Sequence, residues 1–211
     1  MTKTSVSIRL EGAGKKFLKN WLFRNLSLEL KSGERIAITG LNGSGKSTLL
    51  QILSGYVSLS EGSITLRTSE NSVEQGQWYH YLAVATPYLD LPEELTLREN
   101  IDFYSAHKAL RLKNAEAVAE LSGLQKVMDR PLKFFSSGMK QRVRLVLALT
   151  ADVPIVLLDE PVSNLDREGV SWFHQLCAQL PAETLLVICS NHVADEINLC
   201  TRSLELSPAL M

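Results

Sequence analysis

The chain has 211 residues, a formal net charge of −1 and 45% hydrophobic and 21% charged residues. These values are ordinary for a soluble globular protein; they exclude a collagen-like or disordered chain and show no basic excess that would indicate nucleic-acid binding. The longest apolar runs, residues 155–158 and 185–189, are far shorter than the ~18 residues of a membrane-spanning helix. Three scattered cysteines and an N-terminus without an apolar signal segment favour a reducing compartment.

The first half of the chain alternates strand and helix patterns, which is typical of α/β architecture. Apolar and polar residues alternate over 6–10 and 26–30, which predicts two half-buried strands. Residues 35–39 predict a strand that ends in a glycine-rich loop, and residues 46–53 predict the helix after it. The polar segment 68–80 is weakly patterned and predicts a loop.

The second half contains a helical insertion. The sequence Thr96-Leu-Arg-Glu99 matches a capping box, and it predicts the start of a helical region that continues to about residue 121 with a break near 105–108. Residues 138–151 predict a further helix. Because the helical region 88–151 interrupts the strand–helix alternation, we expect it to form a lobe on a core made of 1–87 and 152–211.

Residues 40–48 match the pattern G-x-x-x-x-G-K-[ST] between a predicted strand and a predicted helix. Glycines let successive backbone N–H groups turn towards phosphate oxygens, and the helix N-terminus adds partial positive charge. Lys46 would supply a cation for the phosphates, and the Ser47 hydroxyl would ligate Mg²⁺. The alternative is a glycine-rich turn with a surface lysine. The predicted phosphate-binding residues are Gly40, Asn42, Gly43, Ser44, Gly45, Lys46, Ser47 and Thr48.

Two carboxylates follow the apolar strand at 155–158. Since parallel strands end at the same edge of a sheet, we expect Asp159 beside the phosphate loop, where it would hold Mg²⁺ directly or through water. Glu160 would act as the general base that polarises an attacking water. A helix-capping Asp-Glu pair is the structural alternative.

With these motifs the chain resembles the nucleotide-binding domain of ABC-type ATPases from about residue 5 to residue 206. Residues 135–142, Phe-Ser-Ser-Gly-Met-Lys-Gln-Arg, resemble the family signature, with matches at Ser136 and Gly138. Residues 163–166 resemble the D-loop, and His192 resembles the switch histidine. The resemblance implies a P-loop (RecA-like) α/β core with a mostly parallel sheet, an antiparallel β part near the N-terminus and a helical signature lobe, in a single domain over 1–211.

The resemblance implies site residues outside the phosphate loop. Ser136 and Gly138 would clamp the γ-phosphate of ATP held by a partner subunit, and His192 would contact the γ-phosphate and the attacking water. An aromatic ring would stack on adenine; Phe17 is the leading candidate and Trp21 the alternative, unless both rings serve packing alone. The family usually has a glutamine where Thr86 stands; Thr86 either replaces it as a Mg²⁺ ligand or merely ends a strand before Pro87.

The leading functional prediction is the ATP-binding and ATP-hydrolysing subunit of an ABC transporter, with ATP and Mg²⁺ as cofactors. The implied partners are a second ATPase subunit in a head-to-tail dimer and polytopic membrane subunits, which would hold the chain on the cytoplasmic face of the cell membrane. No nucleic acid is expected as a partner. Leu89, Leu91 and Leu95 either line a cleft for a membrane subunit or fill the core of the lobe. The alternatives are a soluble non-transport ABC ATPase and, less compatible with the ordered motifs, an unrelated P-loop kinase or GTPase.

Overall fold

A computed structural model describes residues 5–88 and 90–207. The chain divides into two compact units. Within the described residues, the first unit consists of 5–84, 154–160 and 181–207, and the second of 85–88, 90–153 and 161–180.

The strands of the described chain are β1 (Val6–Phe17), β2 (Asn20–Lys31), β3 (Arg35–Thr39), β4 (Glu61–Thr68), β5 (Ser72–Val73), β6 (Leu82–Ala85), β7 (Ile155–Asp159), β8 (Leu185–Ser190) and β9 (Arg202–Glu205). The α-helices are α1 (Lys46–Leu53), α2 (Leu97–His107), α3 (Ala115–Leu121), α4 (Ser137–Thr150), α5 (Arg167–Ala178) and α6 (Ala194–Ile197). Short 3₁₀ helices occupy Gln75–His80, Gln125–Val127 and Leu132–Phe134.

Two sheets organise the first unit. One has the strand order β2-β1-β4-β5 with antiparallel pairs, and the other has the order β6-β7-β8-β3-β9. In the second sheet β3 pairs in parallel with β8 and β9, and β7 pairs in parallel with β8. The strands β7 and β8 are buried along their whole length, as their continuous apolar sequences predict.

A hydrophobic cluster joins the two sheets of the first unit. It includes Ile8 and Leu10 of β1, Ile36 and Ile38 of β3, and Leu50 of α1, each almost fully buried. Burial of such side chains contributes roughly 1.5–3 kcal/mol each. This core fixes the loop after β3 and the end of β7, which carry the candidate site.

The second unit consists mainly of helices with polar N-caps. Thr96 caps α2 in a complete capping box with Glu99, as the sequence predicts. The indole N–H of Trp172 in α5 donates to the Leu121 carbonyl at 2.7 Å, and the Arg142 guanidinium lies 5.1 Å from the Trp172 ring. These contacts attach α5 to the helices of the expected lobe. The second unit therefore extends beyond 88–151 and includes 161–180.

The prediction of a plain loop over 68–80 is wrong. The segment contains β5 and the 3₁₀ helix Gln75–His80. Trp78 is 2% exposed, and its indole N–H donates to the Val73 carbonyl at 3.0 Å. One buried aromatic anchor therefore orders an otherwise polar segment.

Among the described residues, none of the helices has the length and apolar composition required to cross a membrane.

Candidate functional site

The loop between β3 and α1 needs glycine at three positions. Gly40, Gly43 and Gly45 have φ angles of 150°, 81° and 97°, where residues with side chains are strained. A Cβ atom on Gly40 would lie 2.5 Å from the Leu206 oxygen and 2.7 Å from Ser44 Oγ. The loop can therefore keep this backbone path only with glycine at residue 40.

Lys46 begins α1 and bends back over the loop. Its side chain is buried, and Nζ donates to the carbonyl oxygens of Gly40 at 2.7 Å and Leu41 at 3.1 Å. Gly45, the N-cap residue, has no side chain that could cap the helix. The amides of the first turn and the lysine cation together provide positive potential for an anion.

The remaining loop residues differ in exposure. Asn42 and Gly43 are exposed, Ser47 and Thr48 are half-buried, and Ser44 is 1% exposed. Ser44 Oγ has no hydrogen-bond partner within the described residues. An unpaired buried hydroxyl is costly, so this group is available to a ligand in the loop.

Asp159 ends β7 next to the phosphate loop, as the parallel sheet predicts. It is 2% exposed and accepts a hydrogen bond from the Ser47 side chain. Burial raises the pKa of Asp159, while the Ser47 bond and the Lys46 charge lower it and the Glu160 charge raises it. Its Oδ1 has no partner within the described ranges.

This pair fits a magnesium ion. A carboxylate with one unpaired oxygen and a neighbouring hydroxyl are hard oxygen donors, which Mg²⁺ prefers, and substrate phosphates and water usually complete its shell. In the described part of the chain, no group of three or more His, Cys, Asp or Glu residues could hold a metal ion. A Mg²⁺ ion at this pair would therefore depend on substrate phosphates and water for its remaining ligands.

Glu160 and His192 follow the buried strands β7 and β8. Asp159 is paired with Cys189 in the sheet, so these strands end side by side. Glu160 is half-buried, with φ of 45°, and its N–H donates to the Cys189 oxygen at 2.9 Å. His192 is exposed, with φ of 57°. Left-handed backbone at non-glycine residues is often found at functional sites.

Phe17 and Trp21 lie on the hairpin formed by β1 and β2. Phe17 is 52% exposed. The Trp21 ring has the Lys16 ammonium at 5.2 Å and the Arg24 guanidinium at 4.7 Å from its centroid. The Lys15 ammonium lies 5.0 Å from the Phe17 centroid, so both rings have a cation contact. Phe17 is the more accessible ring because Trp21 is half-buried.

The same hairpin approaches the phosphate loop. A Cβ atom on Gly45 would lie 3.2 Å from Leu22 Cβ and 3.4 Å from Phe23 Cδ1. The strand that follows the aromatic hairpin tip therefore packs directly on the loop.

Ser136 and Gly138 lie at the start of α4 in the second unit. Ser136 is the N-cap, and its Oγ accepts from the Met139 N–H at 3.2 Å. A Cβ atom on Gly138 would lie 2.8 Å from the Asn164 oxygen, so glycine permits close approach of the D-loop-like segment. The structure thus brings the two motifs of this unit together.

Other predicted residues of the second unit lie before α2. Thr86 is buried with 8% exposure and follows β6. Leu91 and Leu95 are half-buried, and Leu89 lies outside the described residues.

Sequence reasoning missed Gln141. This side chain is 3% exposed, and its Nε2 donates to the Pro161 oxygen at 2.9 Å. The sequence signal that could have indicated its burial is its position four residues before Leu145, which places both residues on one face of the predicted helix.

The chain matches the sequence model of the ABC transporter family over residues 23–163. It is 29% identical over 194 residues to the uncharacterised ABC transporter ATP-binding protein YcbN of Bacillus subtilis, covering 90% of this chain and 62% of the relative. It is 31% identical over 181 residues to the cytochrome c biogenesis ATP-binding export protein CcmA of Rhizobium johnstonii, covering 81% of each chain.

Solved structures show the same fold. The dimeric ATP-binding cassette MJ0796, in a post-hydrolysis state bound to ADP and Pi, superposes with a TM-score of 0.80 at 21% identity, covering 95% of this chain and 94% of that one. The predicted α/β class, with a parallel sheet, an antiparallel sheet and helices, is confirmed.

The chain therefore belongs to the ABC transporter family, and the resemblance drawn from its motifs is confirmed. Within that family it is an ABC-type ATP-binding domain. It spans 62% and 64% of the length of two Bacillus subtilis relatives that it matches.

Proposed function

We propose that this chain binds and hydrolyses ATP and powers an ABC transporter whose membrane-spanning parts are separate subunits. The observation that carries the proposal is the phosphate loop, whose buried Lys46 lies in the same unit as the hydrogen-bonded Ser47–Asp159 pair. A cation, helix amides and oxygen donors for a divalent ion are the groups that phosphoryl transfer requires.

The loop residues from Gly40 to Thr48 would bind the triphosphate. Backbone amides and Lys46 would hold phosphate oxygens, and the unpaired Ser44 hydroxyl would donate to one of them. Ser47 and Asp159 would hold Mg²⁺, with Thr86 as a further candidate ligand. Bound Mg²⁺ neutralises charge on the phosphates. Phe17 would stack on the adenine.

Hydrolysis requires groups beyond those that bind ATP and Mg²⁺. Glu160, a half-buried residue, would accept a proton from the attacking water. His192 would orient the water and the γ-phosphate. Positioning and charge neutralisation supply most of the rate enhancement in this class of reaction.

Assembly with a second copy would complete each site. Ser136 and Gly138 of one chain would approach the γ-phosphate bound by the other in a head-to-tail dimer. The dimeric state of the MJ0796 cassette supports this arrangement. Polytopic membrane subunits would then place the dimer at the cytoplasmic face of the membrane, consistent with the relatives named as transporter and export proteins.

The test combines three measurements on the full chain. Calorimetry should show ATP binding that is lost in Lys46→Ala, and light scattering should show Glu160→Gln dimerising with Mg-ATP while Lys46→Ala stays monomeric. Affinity purification from detergent-solubilised membranes of the source organism should recover a polytopic membrane protein. Absence of ATP binding would refute the ATPase assignment; ATP binding with recovery of ribosomes or chromatin, and no membrane subunit, would favour the soluble alternative.

A further inference from the structure

The backbone of Glu160 needs support from its neighbours. Its φ of 45° lies in the left-handed region, which a non-glycine residue keeps only where the surrounding structure fixes it. The Glu160 N–H is held by the Cys189 oxygen at 2.9 Å. The next residue is Pro161, whose ring fixes its own φ and removes a backbone donor.

A side chain of α4 supports Pro161, the residue that follows Glu160. The Pro161 oxygen accepts a hydrogen bond of 2.9 Å from Nε2 of Gln141. Gln141 is 3% exposed and Pro161 is buried, so loss of the amide would leave a buried carbonyl without this donor.

The helix α4 also contacts the segment after Pro161 at a second point. The Asn164 oxygen comes so close to Gly138 that a Cβ atom there would lie 2.8 Å away. Asn164 also has a left-handed backbone, with φ of 64°. The segment that begins directly after Glu160 is therefore fixed to α4 by a buried hydrogen bond and by a close backbone approach.

We propose that Gln141 is a positioning residue for ATP hydrolysis. It holds the Pro161 carbonyl, and through the Glu160–Pro161 peptide it maintains the backbone conformation from which the Glu160 carboxylate projects. Gln141 acts through Glu160 and is not assigned a contact with ATP. This role rests on the proposed ATPase function.

The first test compares Gln141→Leu with Thr150→Val in the full chain. Thr150 lies on the same helix, is 3% exposed, and donates through Oγ1 to the Val146 oxygen at 2.6 Å. Both variants remove one buried hydrogen bond and should lower the melting temperature. Only Gln141→Leu should lower kcat, by about tenfold, with the KM for ATP changed less than about twofold.

The second test uses Gln141→Glu. A neutral carboxyl can donate to the Pro161 oxygen, whereas an ionised carboxylate cannot. The ratio of its kcat to that of the parent should therefore be near one at low pH and fall as pH rises. The corresponding ratio for Gln141→Leu should not depend on pH.

The outcomes separate this inference from the proposed function. If the parent hydrolyses ATP, Glu160→Gln stops it and Gln141→Leu retains the parent kcat, the positioning role is wrong and the ATPase assignment stands. An equal loss of kcat in Thr150→Val, or a pH-independent ratio for Gln141→Glu, also overturns the positioning role. If the parent does not hydrolyse ATP, the proposed function fails and this inference fails with it.

Discussion

The Lys46 ammonium donates a hydrogen bond of 2.7 Å to the carbonyl oxygen of Gly40, the first glycine of its own loop. This bond and the one to Leu41 keep the cation over the curled backbone instead of in solvent. These bonds hold the cation at the loop, where it adds to the positive potential of the helix N-terminus.

Lys46→Ala should bind ATP much more weakly because a charge-assisted phosphate contact is lost. Such contacts are worth roughly 1.5–3 kcal/mol, so we expect a loss of about 10- to 150-fold in affinity, measured by calorimetry. Lys113→Ala, at an exposed position of the second unit, is the control. Near-parental affinity in folded Lys46→Ala would refute the phosphate-loop assignment.

Asp159→Asn should stabilise the ligand-free protein. Burial raises the folded-state pKa of Asp159 above its unfolded value, so its stabilising contribution is present below the unfolded pKa and is lost as pH rises through the folded pKa. Above the folded pKa the ionised carboxylate is therefore unfavourable, and at such pH values we expect Asp159→Asn to raise the free energy of unfolding.

The same variant should lose most of the stabilisation that Mg-ATP gives the parent, because a Mg²⁺ ligand is removed. Thermal unfolding with and without Mg-ATP measures both effects, and Asp102→Asn, at an exposed position, is the control. If Mg-ATP stabilises Asp159→Asn as much as the parent, Asp159 is not a metal ligand.

Much of this site was predictable because its determinants are local. The glycine spacing before Lys46 fixes a loop conformation, and the apolar run before Asp159 fixes a buried strand, so β3, α1 and β7 lie where the sequence places them. The parallel sheet then brings Asp159 to Ser47.

The features that sequence did not predict depend on distant partners. The 3₁₀ helix Gln75–His80 depends on the burial of one tryptophan. Gln141 gains its role from the Pro161 carbonyl, 20 residues away, and neither residue indicates that pairing by itself. The attachment of α5 to the second unit involves the bond from Trp172 to Leu121 and the contact of Arg142 with the Trp172 ring, and neither has a local sequence pattern.

Glu160→Gln should separate binding from chemistry. The amide keeps the shape of the side chain but cannot accept the proton, and general-base assistance is typically worth ~10²–10⁴-fold. ATP affinity should stay near the parental value while turnover falls by about that factor. Parental turnover in Glu160→Gln, measured as phosphate release, would show that another group is the base.

His192→Ala should also slow turnover, because the attacking water and the γ-phosphate lose the side chain that orients them.

Phe17→Ala should weaken ATP binding more than Trp21→Ala. Phe17 is 52% exposed and has one cation, Lys15, over its ring, whereas Trp21 is half-buried and has two cations over its ring. Loss of one base–aromatic stack costs about 1–3 kcal/mol, or roughly 5- to 150-fold in affinity. Affinity for inorganic triphosphate, which has no base, should be unchanged. The assignment would be reversed if Trp21→Ala showed the larger base-dependent loss.

Thr86→Val tests whether the threonine at the usual glutamine position acts on Mg²⁺. Valine keeps the branched shape and removes the hydroxyl, and Thr86 is 8% exposed, so the change isolates one buried polar group. Hydrogen bonds contribute ~0.5–1.5 kcal/mol when neutral and ~1.5–3 when charged, so we expect Mg²⁺-dependent turnover to fall about two- to 150-fold, with ATP affinity affected less. Turnover measured against Mg²⁺ concentration, with Thr150→Val as the buried-threonine control, decides the role. An unchanged rate and Mg²⁺ dependence would mean that Thr86 only ends β6 before Pro87, a position that favours extended backbone.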